Sequence, residues 1–385
     1  MGHDETERFP GSQPISFERK HLEKERQGSL FSKHYYAAEK TDGVRYMMFI
    51  AGARGAYMVD RNFEFRKLPR MHFPKRGAEL YATEEPLQEV DQTLLDGELV
   101  IDEPLDKSTG EPTGKTVMRY LVYDACAVLG QTVTKQPLPI RLLAVRRDVL
   151  APRYHAKHEG YTFPGEPFSM DLKDFYELRS LPHIFGQVTP GGEDGNHLYA
   201  YKDPLRDLLH GNDGIIFTPV EEAYEPGTCR SLLKWKPADM NSIDFQLRTE
   251  WRTEAGCEEM QPRFKLLIAS QGCLLNDSYD WITFSPEQHE KFAADSQADR
   301  RIIECVWDPN WQCLTYPDDD PTWDNPTPRM GGWKCERIRE DKNLPNDKRV
   351  VESVQQSARD GVSHNELMSR LFNRPPTAQP STPAS

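Results

Sequence analysis

The sequence has no CxxC pair and no apolar run long enough to cross a bilayer. Its seven cysteines are odd in number and contain no such pair, so the sequence indicates neither a zinc knuckle nor a disulfide framework. A membrane span needs about 20 consecutive apolar residues, and the opening segment also lacks the basic and apolar regions of a secretion signal. We therefore expect an intracellular protein in a reducing compartment, with no membrane partner.

Positive charge is also scarce. The 385-residue chain carries a formal net charge of -13 and has a pI of about 5.4. Coating a long nucleic acid depends on neutralising many phosphates, so this protein would have to grip a nucleic-acid substrate locally. A chain of this length exceeds one ordinary core and suits two or three domains with a cleft between them. The composition favours a multidomain enzyme.

Short β-type runs recur between polar or glycine- and proline-containing segments in the first part of the chain. They predict a large α+β domain of antiparallel sheets over residues 1–238. Apolar residues return every three or four positions over 138–155 and again over 169–181. This spacing predicts two helices that flank the sheets.

The pattern changes after Pro237, where alternating segments are separated by turn-forming stretches. Residues 239–345 are accordingly predicted to form a small β-barrel. Helical spacing returns over 346–373, and we expect this helix to pack back on the first domain. The tail at 374–385 is rich in proline, serine and threonine and is predicted to be disordered.

The strongest local signal is Lys40, in the segment EKTDGVR at 39–45, just before an apolar strand. A protonated lysine is a poor nucleophile, and desolvation or a nearby positive charge such as a metal ion makes it a good one by lowering its pKa. A tight Asp-Gly turn would hold the side chain rigidly and aim it into a pocket. The alternative is a solvent-exposed turn lysine, because KxDG strings also arise by chance.

Two acids stand at or inside otherwise apolar strands. Glu98 lies in LLDGELV at 94–100, and Asp213 lies in NDGIIF at 212–217. Burying a carboxylate is costly unless it meets a metal, a sugar hydroxyl or a cation. The pair therefore predicts a site for Mg²⁺ or Mn²⁺ in phosphoryl chemistry. The alternative for Glu98 is a turn carboxylate with its hydrogen bonds satisfied.

Two groups of cations suit phosphates. In LLKWKP at 232–237, strand alternation places Lys234 and Lys236 on one face, as an α-phosphate requires, although the basic face of an edge strand is an alternative. The segment RIREDK at 337–342 supplies cations for the outer phosphates, with a charged helix face as its alternative.

The ordered set of motifs resembles the eukaryotic mRNA guanylyltransferases of the covalent nucleotidyltransferase superfamily, in their stand-alone fungal form. The matching segments, in order, are EKTDGVR at 39–45, Asp60-Arg61, LLDGELV at 94–100, RYLVYDACAV at 119–128, NDGIIF at 212–217, LLKWKP at 232–237 followed by NSIDF, and RIREDK at 337–342. Ligases share the KxDG and acid-Gly motifs. LLKWKP with NSIDF and the late RIREDK motif resemble capping enzymes in particular.

The resemblance implies a role for each matching residue. Lys40 would form a phosphoramidate with GMP, Arg45 and Glu98 would hold the ribose, and Tyr123 would stack on guanine, although Tyr123 also suits an ordinary half-buried strand position. Asp213 and Glu98 would act at the metal. The other residues expected to contact GTP are Thr41, Arg61, Lys234, Lys236, Asp244, Arg337, Arg339 and Lys342.

Three of these assignments stay open. Either Arg337 or Arg339 would orient the leaving pyrophosphate beside Lys342, because both precede Asp341-Lys342. Asp244 would help the leaving phosphates or the metal, or else be an ordinary turn acid. Lys173 is a candidate for specifying guanine.

The resemblance also implies a fold, substrates and partners. The fold is an α+β nucleotidyltransferase domain followed by an OB-fold, which would close over GTP. The substrates are GTP and the 5′-diphosphate end of RNA. The implied partners are a separate RNA 5′-triphosphatase, since no triphosphatase signature is evident, and the phosphorylated tail of RNA polymerase II in the nucleus. The alternatives are an ATP-dependent polynucleotide ligase and a non-catalytic scaffold that binds RNA polymerase.

Overall fold

The computed structural model describes residues 9–372, apart from 79–87, 191–198, 238–239, 258, 276 and 361. The chain divides into two compact units. The first unit comprises Met1–Lys236 together with His364–Ser385, and the second comprises Pro237–Ser363. The predicted tail at 374–385 lies outside the described residues.

In the described part of the first unit, fourteen strands join into one extended sheet. They are β1 (Ser12–Ser16), β2 (Tyr35–Thr41), β3 (Val44–Ile50), β4 (Ala56–Val59), β5 (Phe65–Leu68), β6 (Thr93–Pro104), β7 (Val117–Val128), β8 (Gln131–Thr132), β9 (Ser169–Leu172), β10 (Tyr176–Glu177), β11 (Val188–Pro190), β12 (Tyr199–Asp203), β13 (Leu208–Pro219) and β14 (Gly227–Trp235).

The longest path through this sheet runs in the order β1-β14-β13-β6-β3-β4-β5. Strand β2 pairs with β13, and β7 pairs with β6, both antiparallel. Alternate side chains of β3, β6 and β7, including Met48, Leu95 and Val122, are fully buried in one core, as expected for strands that bury one face. The long central strands β6 and β13 position most of the site described below.

Helices cover part of this sheet. The apolar spacing at 138–155 is confirmed as α1 (Leu138–Val145) and α2 (Ala151–His158), joined by a π-helical turn at Arg146–Leu150. A short helix, α3 (Leu181–Gly186), follows later in the chain. Among the residues that the structure describes, no helix is long and apolar enough to cross a membrane.

The helix predicted over 169–181 is wrong. Residues 169–172 form β9, which pairs in parallel with β7 and buries Met170 beside Tyr120. Residues 176–177 form β10, which pairs with β2. The apolar spacing is compatible with a helix, but pairing to an existing sheet edge overrides weak local propensity.

The strands described in the second unit are β15 (Ser242–Arg252), β16 (Gln261–Leu267), β17 (Ala269–Ser270), β18 (Cys273–Leu274), β19 (Asp280–Ile282), β20 (Ile302–Thr315) and β21 (Thr327–Ile338). Five of them form an antiparallel sheet in the order β19-β16-β15-β20-β21, and β17 and β18 form a separate small pair. Helix α4 (Pro286–Ala294) begins at Ser285, whose side chain accepts a hydrogen bond from the Gln288 amide.

This second sheet closes on itself. Asp280 on β19 and Arg329 on β21 belong to opposite edges of the sheet, yet Arg329 Nη2 lies 2.9 Å from Asp280 Oδ2. In a flat sheet, four strand spacings would separate these edges by about 19 Å. The sheet therefore curls into a small barrel, which is consistent with the OB-fold.

The single helix predicted over 346–373 is two helices. Helix α5 (Lys348–Asp360) buries Val351 and Val354 in the core of the second unit. Helix α6 (His364–Phe372) belongs to the first unit, where Glu366 Oε1 accepts a 2.5 Å hydrogen bond from Arg19 Nη1. The sequence between the helices is Gly361-Val362-Ser363, and glycine and serine are typical of a helix end and a new N-cap.

Candidate active site

Lys40 lies near the end of β2, and its side chain is only 20% exposed. The turn that follows packs against β6 so closely that a Cβ on Gly43 would lie 2.6 Å from the Leu99 carbonyl oxygen. Only glycine permits this approach. The Asp-Gly turn thus holds β2 and β3 tightly against β6, and the alternative of a solvent-exposed turn lysine is excluded.

Asp213 meets Lys40 because β13 is irregular at this point. The register of β13 against β2 shifts between Asn212 and Ile215, and Gly214 has a φ of +125°. A Cβ on Gly214 would lie 2.1 Å from the Trp235 carbonyl oxygen, so the bulge requires glycine. The Lys40 ammonium donates to the Asp213 carboxylate, and Lys236 Nζ lies 3.1 Å from the same oxygen.

Glu98 lies on β6, between β3 and β7, opposite Arg45. This position excludes the alternative of a turn carboxylate. Burial raises the pKa of Glu98, although the charge of Lys40 opposes that shift. Glu98 and Asp213 therefore both act on Lys40 from neighbouring strands.

The ammonium of Lys40 is stabilised by this arrangement. Burial lowers the pKa of Lys40, but the negative charges of Asp213 and Glu98 outweigh that effect, so the pKa is raised. Conversely, burial raises the pKa of Asp213, and the charges of Lys40 and Lys236 outweigh it, so the pKa of Asp213 is lowered. The desolvation expected from sequence is present, but it does not lower the pKa of Lys40 in this charge environment.

Lys234 and Lys236 flank the buried Trp235 at the end of β14, and Trp235 packs edge-on against Phe185 with ring centroids 5.4 Å apart. Both lysines are half-buried. Strand β14 pairs with β13 on one side and β1 on the other, which excludes the alternative of an edge strand. Arg61 lies exposed in the turn after β4.

Arg45 and Tyr123 are brought together, with the guanidinium 5.6 Å from the ring centroid. Arg45 is held by the buried carboxylate of Asp96 through hydrogen bonds of 3.0 and 2.5 Å, and it also donates to the Ser12 carbonyl at 2.6 Å. The Tyr224 hydroxyl donates to Asp96 at 2.5 Å. These contacts fix the guanidinium plane before any ligand binds.

Lys173 lies beside the residues that flank Lys40 on β2. Its ammonium donates to the carboxylate of Glu39 and to the hydroxyl of Thr41. The Thr41 hydroxyl lies 3.1 Å from both Glu39 carboxylate oxygens. His210 on β13 contacts the same carboxylate, with Nε2 3.1 Å from Glu39 Oε1.

The predicted residues of the second unit form a cluster of their own. Asp244 is buried on β15, where its carboxylate accepts hydrogen bonds from Arg339 at 3.1 Å and from Lys342. Arg339 also donates to Asp341 at 2.8 Å, whereas Arg337 is more exposed and donates to Glu304 at 2.8 Å. Asp244 is therefore not a turn acid, and these arginines do not lie on a helix.

Two family models match the chain. The model of the mRNA capping enzyme catalytic domain matches residues 1–238, and the model of the mRNA capping enzyme C-terminal domain matches residues 240–368. The chain belongs to the mRNA capping enzyme family. The family and the fold class predicted from the sequence are thereby confirmed.

Relatives in this family match along most of the chain. The mRNA-capping enzyme subunit alpha of Schizosaccharomyces pombe is 31% identical over 381 residues, covering 94% of this chain and 80% of the relative. The subunit alpha of Saccharomyces cerevisiae is 30% identical over 393 residues, covering 94% and 78%. The solved structure of mycobacterial DNA ligase D complexed with ATP and MES covers 86% of this chain and 95% of its own, with 14% identity and a TM-score of 0.38.

The capping-enzyme site suits a divalent cation that is completed by substrate. Mg²⁺ is commonly held by one or two carboxylates plus phosphate oxygens, and Asp213 and Glu98 provide two carboxylates around Lys40. Within the described residues, no group of three or more histidine, cysteine, aspartate or glutamate side chains forms a metal centre. Two carboxylates are a donor set that suits a divalent cation whose other ligands are phosphate oxygens and water.

Sequence reasoning missed three residues in this site. Asp96 and Glu39 lie inside the motifs already quoted, close to Glu98 and Lys40, and the sequence signal for both is an acid within a buried strand. His210 gave no sequence signal, because its two partners are far away along the chain.

Proposed function

We propose that this protein is an mRNA guanylyltransferase, which transfers GMP from GTP to Lys40 and then to the 5′-diphosphate end of RNA. The observation that supports it most is the half-buried Lys40, held between Asp213 and Glu98 in a chain that matches both capping-enzyme models. In the first step the Lys40 ammonium gives a proton to solvent water, Lys40 Nζ bonds to the α-phosphorus, and the α–β anhydride bond breaks to release pyrophosphate. In the second step a terminal phosphate oxygen of RNA attacks the same phosphorus, the P–N bond breaks, and the Lys40 nitrogen takes a proton back from solvent water.

The charges around Lys40 keep it unreactive until a nucleotide binds. Its raised pKa leaves an ammonium ion, which is not a nucleophile. Asp213 and Glu98 would hold Mg²⁺ or Mn²⁺. This cation would supply positive charge at the phosphate oxygens and would offset the negative charge of the two carboxylates. Lys234 and Lys236 face the same side of β14 and are assigned to the α-phosphate, where preformed positive charge stabilises developing negative charge.

The nucleoside is assigned to the residues around Thr41 and Tyr123. The Tyr123 ring suits stacking on guanine. Arg45 uses three of its five N–H groups on Asp96 and Ser12, so two remain for the ribose beside Glu98. Lys173 has three N–H groups and spends two on Glu39 and Thr41. The third is available to the O6 acceptor of guanine, and adenine has a donor at that position.

Lys173→Met is expected to lower the preference for GTP over ATP by about 10- to 150-fold, because a charged donor to an acceptor contributes about 1.5–3 kcal/mol. Methionine keeps most of the length of lysine and removes the charge and the donors. The preference is measured by competition between α-labelled GTP and ATP for covalent labelling. The control is Lys33→Met, which removes another ion-paired lysine, the partner of Glu222. An unchanged preference in Lys173→Met would remove Lys173 from base recognition.

In the second unit, Arg339 and Lys342 are assigned to the leaving pyrophosphate, with Asp244 positioning both cations instead of contacting phosphate. A carboxylate repels phosphate, and Asp244 is already paired with two cations. Asp341 holds the other side of the Arg339 guanidinium. A cation fixed in this way loses little freedom when it meets its ligand.

Arg339→Ala is expected to slow formation of the covalent intermediate by about 10²-fold, since each well-placed charge stabilises a phosphoryl-transfer transition state by a few kcal/mol. Arg337→Ala is the matched variant and should have a much smaller effect, because the Arg337 side chain is 54% exposed and its charge is screened by water, whereas that of Arg339 is 16% exposed. Single-turnover labelling with GTP measures both. The reverse ranking would assign the pyrophosphate to Arg337.

The partners follow from the chemistry. The relatives are named subunit alpha, a name for one part of a larger enzyme, which supports a separate RNA 5′-triphosphatase that supplies the 5′-diphosphate end. We include in the proposal a nuclear location and docking to the phosphorylated tail of RNA polymerase II, where nascent RNA emerges.

The proposal is tested by incubating the purified protein with α-labelled GTP or ATP and Mg²⁺ or Mn²⁺, and then denaturing it. Acid-labile label on the protein from GTP alone, which then moves to RNA with a 5′-diphosphate end, is the expected result. Label from ATP alone would identify a ligase. Absence of label from both nucleotides would support the non-catalytic scaffold.

A further inference from the structure

A continuous series of contacts between buried charged residues starts at Lys173 and extends across four strands. Lys173 contacts Glu39 on β2, Glu39 contacts His210 on β13, and His210 contacts Asp102 on β6. Asp102 then accepts hydrogen bonds of 2.8 and 2.9 Å from Arg119 on β7. We call these five residues the buried charge chain.

His210 is the central link of the buried charge chain. Its side chain is 2% exposed, and its two ring nitrogens lie 3.0 Å from Asp102 Oδ1 and 3.1 Å from Glu39 Oε1. A neutral imidazole donates from only one nitrogen, so it would direct a lone pair at one of these carboxylates. Two carboxylate partners therefore favour the imidazolium, which donates to both. Although burial lowers the pKa of His210, the charge of Glu39 and the bond to Asp102 outweigh it and raise the pKa.

The far end of the buried charge chain fixes the ring. Arg119 is 1% exposed and binds Asp102 through two nitrogens, and its Nη1 also contacts Asp203 at 3.2 Å and Asp171 at 3.5 Å. Asp102 therefore cannot rotate to follow a displaced ring without losing a bidentate pair. Because Asp102 is held in place, the His210 ring bound to it is also held, and the ring restrains the Glu39 carboxylate. Glu39 in turn binds the ammonium of Lys173 and the hydroxyl of Thr41.

We infer that His210 is a positioning residue for base selection, which fixes Glu39 so that the free N–H of Lys173 is directed at the nucleotide base. The inference rests on the assignment of Lys173 to guanine in the proposed function. Without His210, the described partners of the Glu39 carboxylate would be Thr41, two residues away on the same strand, and Lys173 itself, so no neighbouring strand would fix the direction of the carboxylate. With His210, Thr41 and Lys173 all bound to it, the Glu39 carboxylate has one orientation.

The test uses His210→Gln in the full-length protein. Glutamine donates from one end only, so its carbonyl oxygen would face one of the two carboxylates. We expect the preference for GTP over ATP to fall by about tenfold, as for a misdirected charged hydrogen bond. The loss should come mainly through a higher KM for GTP, with a much smaller change in the labelling rate at saturating GTP.

The matched control is Arg153→Lys. Arg153 is also a buried cation in the first unit, and it binds Glu166 through hydrogen bonds of 2.7 and 2.8 Å outside the buried charge chain. The Arg153→Lys variant should have a lower melting temperature but an unchanged preference for GTP over ATP. Equal losses of preference in both variants would overturn the inference, because general loosening would then explain them. So would an unchanged preference in a folded His210→Gln protein.

A second variant covers the case in which His210→Gln does not fold. Asp102→Asn keeps the size of the side chain and removes the charge on the far side of the ring, leaving Glu39, Thr41 and Lys173 intact. It should lower the preference in the same direction, and a full preference in folded Asp102→Asn would overturn the inference. Failure of the proposed function gives a different result, because the unmodified protein would then use ATP as well as GTP or Lys173→Met would keep the preference.

Discussion

Lys40→Arg is expected to abolish covalent attachment of GMP, lowering labelling from α-labelled GTP by at least about 10⁴-fold, as loss of a nucleophile does in enzymes with a covalent intermediate. Arginine can still pair with Asp213, so the charge balance of the site is kept. Its pKa is too high for it to lose a proton, and it therefore cannot attack phosphorus. The measurement is label retained on the protein after denaturation.

The control for Lys40→Arg is Lys67→Arg, the same replacement at an exposed lysine on β5. It should be labelled like the unmodified protein. A melting curve for Lys40→Arg shows whether the fold is kept, which the preserved ion pair leads us to expect. If folded Lys40→Arg were labelled normally, the nucleophile would be another residue, and Lys234 and Lys236 would be the next candidates.

Arg119→Leu is expected to destabilise the first unit by about 3–5 kcal/mol, because it removes a buried cation and leaves the carboxylates around it only partly compensated, by His210 at Asp102 and by Arg206 at Asp203. Asp102 is fully buried and loses two hydrogen bonds, and Asp203 loses one. The effect should appear as a lower midpoint of denaturant unfolding. Asp203 keeps its 2.9 Å contact with Arg206, so Asp102 accounts for most of the loss.

Arg66→Leu provides the comparison for a surface arginine. Arg66 is also paired with carboxylates, those of Glu64 and Asp60, but its side chain is 56% exposed. Exposed ion pairs contribute only about 0–1 kcal/mol, because water screens them. Equal losses in the two variants would show that Arg119 acts through packing of its side chain and not through its buried charges.

Much of the candidate site could be located from short segments of sequence. The positions of Lys40 and Asp213 follow from local pattern, because Lys40 stands three residues before Gly43 at a turn and Asp213 stands directly before Gly214 at a bulge in a strand. The alternation of Lys234, Trp235 and Lys236 likewise predicted two lysines opposite a buried ring. The roles of these residues in catalysis stay predictions until labelling is measured.

Other predictions failed where pairing to a distant strand decided the outcome. The apolar spacing at 169–181 predicted a helix, but Met170 and Leu172 pair with β7. The single predicted helix at 346–373 is divided between two units, each with its own core. Local spacing carries no information on which sheet edge or core is nearby.

The sequence by itself determined the family, the fold class and the presence of a lysine among acids and cations, since these depend on residue types in a fixed order. Only the tertiary structure decided the charge state of that lysine and the partners of Glu39, Asp96 and Asp102. Their partners lie up to 171 positions away along the chain. A pKa and a buried ion pair depend on which charges the strand registers bring within a few ångströms, and no local pattern in the sequence specifies that.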